Sequence, residues 1–287
     1  MKKIENIIKW FDKVQQRRRA FGFPIAVFKK YGDDEAGNQA ALITYFGFVS
    51  LFPLLLVLFS VLNKVSSKNK GFEERVINAA LHYFPGTAEE ISKNIHGFHR
   101  TGLSLFIGLI ITIYGARGIS SALQNASNKL WQIPKRQRPN FWNATARNFG
   151  IIILGGGGMI ITTVILSYTN NISTKGPTFK ALITLLTLVL NTLVFTLVFR
   201  LATAKQVKTR WLINGAIVAA IFWQILQYAG SYLLLHQLKR SSEFYGTFAL
   251  VLGMLFWIYL QAEVTLYAIE INVVRIKKLW PRKIIED

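Results

Sequence analysis

Long uncharged stretches alternate with short clusters of charge along the chain. The first stretch, Ala40 to Leu62, runs 23 residues without a charged side chain. A second begins at Leu103 and reaches Leu123 with Arg117 as its single charge. A third runs from Asn148 to Tyr168, a fourth from Ala181 to Phe199, and a fifth from Trp211 to Leu235. The sixth starts at Phe244, is uncharged to Ala262, and continues at helical spacing through Glu263 and Glu270. At 1.5 Å per residue, about 20 residues cover a hydrocarbon core of roughly 30 Å. The pattern predicts an all-α fold, a polytopic membrane protein with six transmembrane helices. No charged, apolar and cleavable opening segment is present, so no removable signal peptide is expected.

The charged clusters orient these spans. Residues 1–39, the loops after spans two and four, and the tail from Arg275 carry 23 Lys and Arg, against 10 in the opposite loops. Cytoplasmic loops carry the basic excess, so both termini are expected in the cytoplasm. The expected organisation is a cytoplasmic amphipathic N-terminal segment (1–39), a six-helix transmembrane domain (40–274) and a basic cytoplasmic tail (275–287). In the first segment Ile4, Ile7, Ile8, Phe11 and Val14 recur at helical spacing, with Lys3, Lys9, Lys13 and Arg17 on other faces. That pattern suits a helix on an anionic leaflet and equally one packed beneath the bundle. The loop from Gly71 to Arg100 predicts two short outer helices. Phe72, Val76 and Tyr83 mark the first, Pro85-Gly86 breaks it, and Thr87 with Glu90 forms a capping box for the second.

Composition narrows the function. The chain has 287 residues, a formal charge of +20 and no cysteine. It therefore has no disulfide framework and no thiolate chemistry. In a membrane-spanning chain the basic excess reports topology, so anionic lipids at the cytoplasmic face are expected as partners and nucleic acid is not. The histidines, His82, His96, His99 and His236, all fall on the outer side. His96 and His99 are spaced to share a helical face, but no third ligand is fixed, and neither a metal site nor a cofactor is predicted.

Polar residues inside the spans carry the chemistry, because each costs free energy in lipid unless it has a partner or water. Arg117, Ser121, Gln124, Asn125 and Asn128 form one stripe on span two. Gln224, Gln227, Tyr228 and Ser231 form another on span five, and Tyr259, Glu263, Tyr267 and Glu270 a third on span six. Their convergence predicts a substrate cavity lined by Arg117, Ser121, Gln124, Gln227, Glu263 and Tyr267, with Arg117 and Glu263 as its charged pair. The competing reading is a set of buried hydrogen bonds and one ion pair that only fix helix register. Glu270, nearer the interface, is placed to pair with Arg275 or to cap a loop. Span one carries Ser50-Leu51-Phe52-Pro53, a structural kink at which the Ser50 hydroxyl re-satisfies a carbonyl freed by Pro53. Gly155 to Gly158 in span three predict close helix contact and do not match a phosphate loop.

In this order the residues resemble the YihY/BrkB family of bacterial inner-membrane proteins, formerly labelled ribonuclease BN. The resemblance covers nearly the whole chain. It rests on Ala40-Ala41-Leu42 leading to Ser50-Leu51-Phe52-Pro53, and on Ser121-Ala122-Leu123 with Asn125, Asn128 and Trp131. It continues through Arg138-Pro139, Arg210-Trp211 and Tyr245-Gly246-Thr247, to Trp257, Tyr259, Glu263, Glu270 and Asn272. Ala268-Ile269 stands where the family tends to have Gly-Ala, which leaves close packing there without its glycine. The resemblance implies a bacterial inner-membrane location. It implies no agreed activity, and the ribonuclease label finds no support in the residues. Asp33-Asp34-Glu35 is the main acidic cluster on the cytoplasmic side, no histidine accompanies it, and a solvated helix cap explains it. The sequence thus predicts a protein with no catalytic residues. Its leading role is a transporter or exporter of a small polar solute or an amphiphilic lipid. The alternative is a non-transporting membrane scaffold or envelope-integrity protein.

Overall fold

A computed structural model describes residues 19–66, 102–170, 176–204, 207–233 and 247–281. The expected helix at Ile4 to Val14, the two outer helices and the four histidines lie outside the described residues. Seven α-helices are described: α1 (Arg19–Asp33), α2 (Ala36–Ser66), α3 (Gly102–Leu130), α4 (Phe141–Asn170), α5 (Pro177–Ala202), α6 (Thr209–Leu233) and α7 (Thr247–Ile276). A single 3-10 turn, Lys135–Gln137, sits between α3 and α4, and no strand occurs among the described residues. Among these residues four segments are long and apolar enough to cross a membrane: Phe141–Thr162, Ala181–Ala202, Thr209–Gln227 and Val251–Ile276.

The six long helices pack in chain order. Helices α2 and α3 make the most extensive contact; α3–α4, α4–α5, α5–α6 and α6–α7 follow, and α7 returns to α2 to close the ring. Cross-contacts of α3 with α5 and α7 fill the interior, and α1 lies against α7 and α2. The ends of α3, α5 and α7 and the starts of α2, α4 and α6 share one end of the bundle. Lys129, Arg147, Arg200, Lys208, Arg210, Arg275 and Lys277 all stand there, and it is called the basic end below. Phe141, Trp142 and Trp211 are exposed at the same end, as side chains at a membrane–water interface are.

Large apolar side chains face out: Ile153, Ile160, Leu182, Leu185, Val189 and Phe256 are exposed. The contact faces use small ones, with Ala122, Ala126, Ala216, Ala219, Ala262 and Ala268 buried. Against lipid as solvent this is the economical arrangement, since aliphatics gain nothing by leaving lipid and small residues let backbones approach. Gly215 shows the closest approach, for a Cβ there would collide with the Ala268 carbonyl and the Asn272 amide. Close packing at Ala268 therefore survives the missing family glycine, because α6 supplies the glycine instead.

Two expectations about helix packing are corrected. Of the four glycines in α4 only Gly158 is pressed against a neighbour, Val194; a Cβ on Gly155, Gly156 or Gly157 would meet nothing within 4 Å. Helix α2 continues through Pro53 to Ser66. Ser50 Oγ donates to the Gly47 carbonyl at 3.0 Å, two residues before the Val49 carbonyl that Pro53 leaves free. Ser50 also packs where a Cβ on Gly115 would have to sit, so its role is the α2–α3 contact.

Candidate functional site

The polar stripe of α7 faces α1. Glu263, Tyr267 and Glu270 are four and three residues apart, so they project from one side of the helix. From α1, Ala26, Val27, Lys30 and Tyr31 are buried against that side. Lys30 is 1% and Glu270 0% exposed, and Lys30 Nζ lies 3.1 Å from Glu270 Oε2. Lys30 also pairs with Asp34 one turn on, and donates to the Leu130 carbonyl at 3.0 Å. Two charges out of water cost several kcal/mol each unless attraction and hydrogen bonds offset them. Here one ammonium serves two carboxylates and a helix-end carbonyl at once.

The end of α3 is the anchor of this cluster. Gln132 takes a left-handed conformation (φ 54°), and the Ile133 N–H bonds the Asn128 carbonyl at 2.9 Å. That closes the helix but leaves Leu130 and Trp131 carbonyls to be satisfied. Lys30 takes the first, and Lys277 takes the second at 2.8 Å. Both cations also lie where the helix dipole is negative. Glu35 pairs with Lys129 at 3.0 Å. Asp34 and Glu35 are thus engaged with buried and surface lysines, which corrects the reading of that acidic run as a merely solvated cap.

About 10 Å further along α7 lies Glu263, half-buried within a span. Its carboxylate and the Tyr259 hydroxyl face Gly37 on α2, at 3.8 and 3.6 Å from where a Cβ would stand. Tyr31 stacks on Tyr267 with ring centroids 3.8 Å apart and planes within 10°, and Phe28 meets Tyr267 edge-on at 5.3 Å. The Tyr31 hydroxyl is buried beside the Glu263 carboxylate, without a well-formed hydrogen bond to it. Burial first, and then the nearby Glu263 carboxylate, push that hydroxyl well above the ordinary phenol range.

The other expected site residues divide. Tyr267 and Glu263 converge as the stripe requires. Arg117 does not join them: it is exposed, its guanidinium lies 5.4 Å from the Phe141 ring, and no ion pair links it to Glu263 among the described residues. A long stem running along apolar surface to an interfacial aromatic relieves the buried-charge cost without a carboxylate. Ser121 and Gln124 are committed to Asn148 of α4. Gln124 Nε2 donates to Asn148 Oδ1 at 2.6 Å and to the Ala144 carbonyl at 3.1 Å, and Asn148 Nδ2 donates to Ser121 Oγ at 2.8 Å. Gln227 is buried in α6. Glu270 pairs with Lys30 and not with Arg275.

Sequence reasoning passed over Lys30, Tyr31 and Asn148. Lys30 carried a signal: it falls on the face of α1 defined by Ala26, Val27 and Tyr31, where a solvated lysine has no place. Among the described residues no group of His, Asp and Glu is arranged to hold a metal ion.

Four membrane-length helices, lipid-facing aliphatics and buried charge inside one of those spans define a membrane-integral helical bundle. The family model for virulence factor BrkB matches residues 27–283, and the chain belongs to that family. Inner membrane protein YhjD of Escherichia coli (strain K12) is 25% identical over 286 residues, spanning 92% of this chain and 83% of that protein. A UPF0761 membrane protein, Smlt0865 of Stenotrophomonas maltophilia (strain K279a), is 22% identical over 274 residues. There the match covers 91% of this chain but only 62% of the relative. A UPF0761 membrane protein of Pseudomonas aeruginosa (strain LESB58) is 25% identical over 264 residues, spanning 88% and 63%. No solved structure matches the chain.

Proposed function

We propose that this is a six-span protein of the bacterial inner membrane, both termini cytoplasmic, that transports or exports a polar solute or an amphiphilic lipid. Helices α2 and α3 are the two further spans, at 31 and 29 residues and within the same ring. The basic end is the cytoplasmic one, as its Lys and Arg excess requires. One observation carries the reading: Glu263, an ionisable side chain in a span, faces tyrosine hydroxyls and has no cationic partner among the described residues. Such a charge is retained against its solvation cost where solute, ion or water reaches it. The Lys30–Glu270–Asp34 cluster and the Tyr31–Tyr267 stack then close the route on the cytoplasmic side of Glu263. No step in this reading needs catalysis or a cofactor.

The scaffold reading keeps one specific observation in its favour. Ser121, Gln124 and Asn148 satisfy one another between α3 and α4, as residues that only set register do. Flux separates the two. Purified protein in sealed vesicles is expected to move polar osmolytes or labelled anionic lipids faster than protein-free vesicles do, and Glu263→Gln to lower that rate at least tenfold. A wild type that moves nothing across the panel would leave the scaffold.

A further inference from the structure

An open-sided groove of about 780 Å³ lies outside the ring at the basic end, between α1, α6 and α7. Phe23 and Pro24 form one wall, Ile217 and Val218 the other, and Ile271 the floor, with Asn214 and Arg275 at its polar end. Its volume is that of a small-molecule site. We propose that this groove holds one anionic phospholipid of the leaflet at the basic end, an acyl chain along the apolar walls and the phosphate at Arg275.

Three observations support that occupant. The Ile217–Val218 wall and the Ile271 floor belong to α6 and α7, helices of membrane-spanning length, so those faces are apolar surface of the kind that meets hydrocarbon. Arg275 is exposed at the last turn of α7 and has no carboxylate partner among the described residues. Lys208, 5.7 Å over the Trp211 ring, and Arg210 stand at the adjoining start of α6, so the field there is positive and favours an anionic headgroup. The groove is also pre-formed. Asn272 accepts from the Gly215 N–H at 2.9 Å and donates to the Leu212 carbonyl at 3.1 Å, which fixes α6 against α7 directly behind the floor. The Lys30–Glu270 pair fixes α1 against α7. A ligand entering such a cleft loses little free energy to rearrangement of the walls. The site does not depend on transport, since a resident structural lipid would bind in the same way.

Native mass spectrometry of the full chain, delipidated and titrated with phosphatidylglycerol or phosphatidylcholine, tests it. The wild type is expected to retain one phosphatidylglycerol in preference to phosphatidylcholine. Arg275→Ala and Arg275→Gln should each lower that preference roughly fivefold, the value of one basic contact at a membrane surface. Ile217→Trp should cut retention of both lipids, with the melting temperature held as a check on folding. Equal retention of the two lipids by the wild type overturns the proposal. So does an unchanged preference in the Arg275 variants, and so does displacement of phosphatidylglycerol by inorganic phosphate alone.

Discussion

Lys30 is the side chain on which the basic end of the bundle depends. It neutralises buried Glu270 and partly buried Asp34 and takes a carbonyl of α3. Replacing it with Met leaves two carboxylates facing each other, and breaking a buried pair costs about 3–5 kcal/mol. Glu270→Gln should cost less, because Asp34 still balances the ammonium. A double-mutant cycle read from denaturation in detergent is expected to show strong coupling; additive effects would mean that the pair does not hold. Tyr31 makes the opposite case. Its hydroxyl lies beside the Glu263 carboxylate without a well-formed hydrogen bond, so Tyr31→Phe should change the melting temperature little near neutral pH. The folded form resists ionising this phenol, so stability is unaffected below the ordinary phenol value of about 10 and falls as pH rises beyond it. Tyr31→Phe should therefore blunt the alkaline fall in stability, and equal alkaline melting curves for the two proteins would contradict this.

At the scale of elements, glycines behave in opposite ways according to what stands opposite them. Gly215→Ala should push α6 off α7, since the added carbon meets the Ala268 backbone carbonyl and breaks the Asn272 contacts. Gly156→Ala meets nothing, and alanine is the better helix former by about 1 kcal/mol. The first variant should melt well below the wild type and the second at or above it; the reverse order would refute the packing described. A run of four glycines was conspicuous in the sequence, yet of that run only Gly158 is packed upon, and other tight approaches fall on Gly215, Gly115 and, against the Phe46 ring, Gly118. Spacing marks where a helix is thin, while the neighbour that uses the thin place is fixed only when the helices are assembled. Helix existence was legible for the same reason that partners were not. The uncharged runs mark α2 to α7 to within several residues at each end, because lipid imposes length and polarity on each span by itself. The α7 stripe was legible too, since a carboxylate in a span has to face inward. Arg117 was misplaced because a flexible stem reaches a ring at the interface, and periodicity records only where the Cβ points.

Among the described residues the molecule is a ring of helices with most of its charge at one end. Topology is open to direct measurement because the chain has no cysteine. A cysteine placed at Lys135 should react with a membrane-impermeant reagent only from the cytoplasm, and one at Gly176 only from outside. Labelling of both from the same face would undo the six-span arrangement. If a route from the outer side reaches Glu263 and stops at the Lys30 cluster, the same thiol chemistry reports it inside the bundle. Glu263→Cys should react with a small charged thiol reagent added from outside and not from the cytoplasm. Leu266→Cys, at a position 0% exposed, should react from neither side. A cysteine at 263 as inert as the one at 266, in protein shown to be folded by its melting curve, would mean a dry interior and contradict the account.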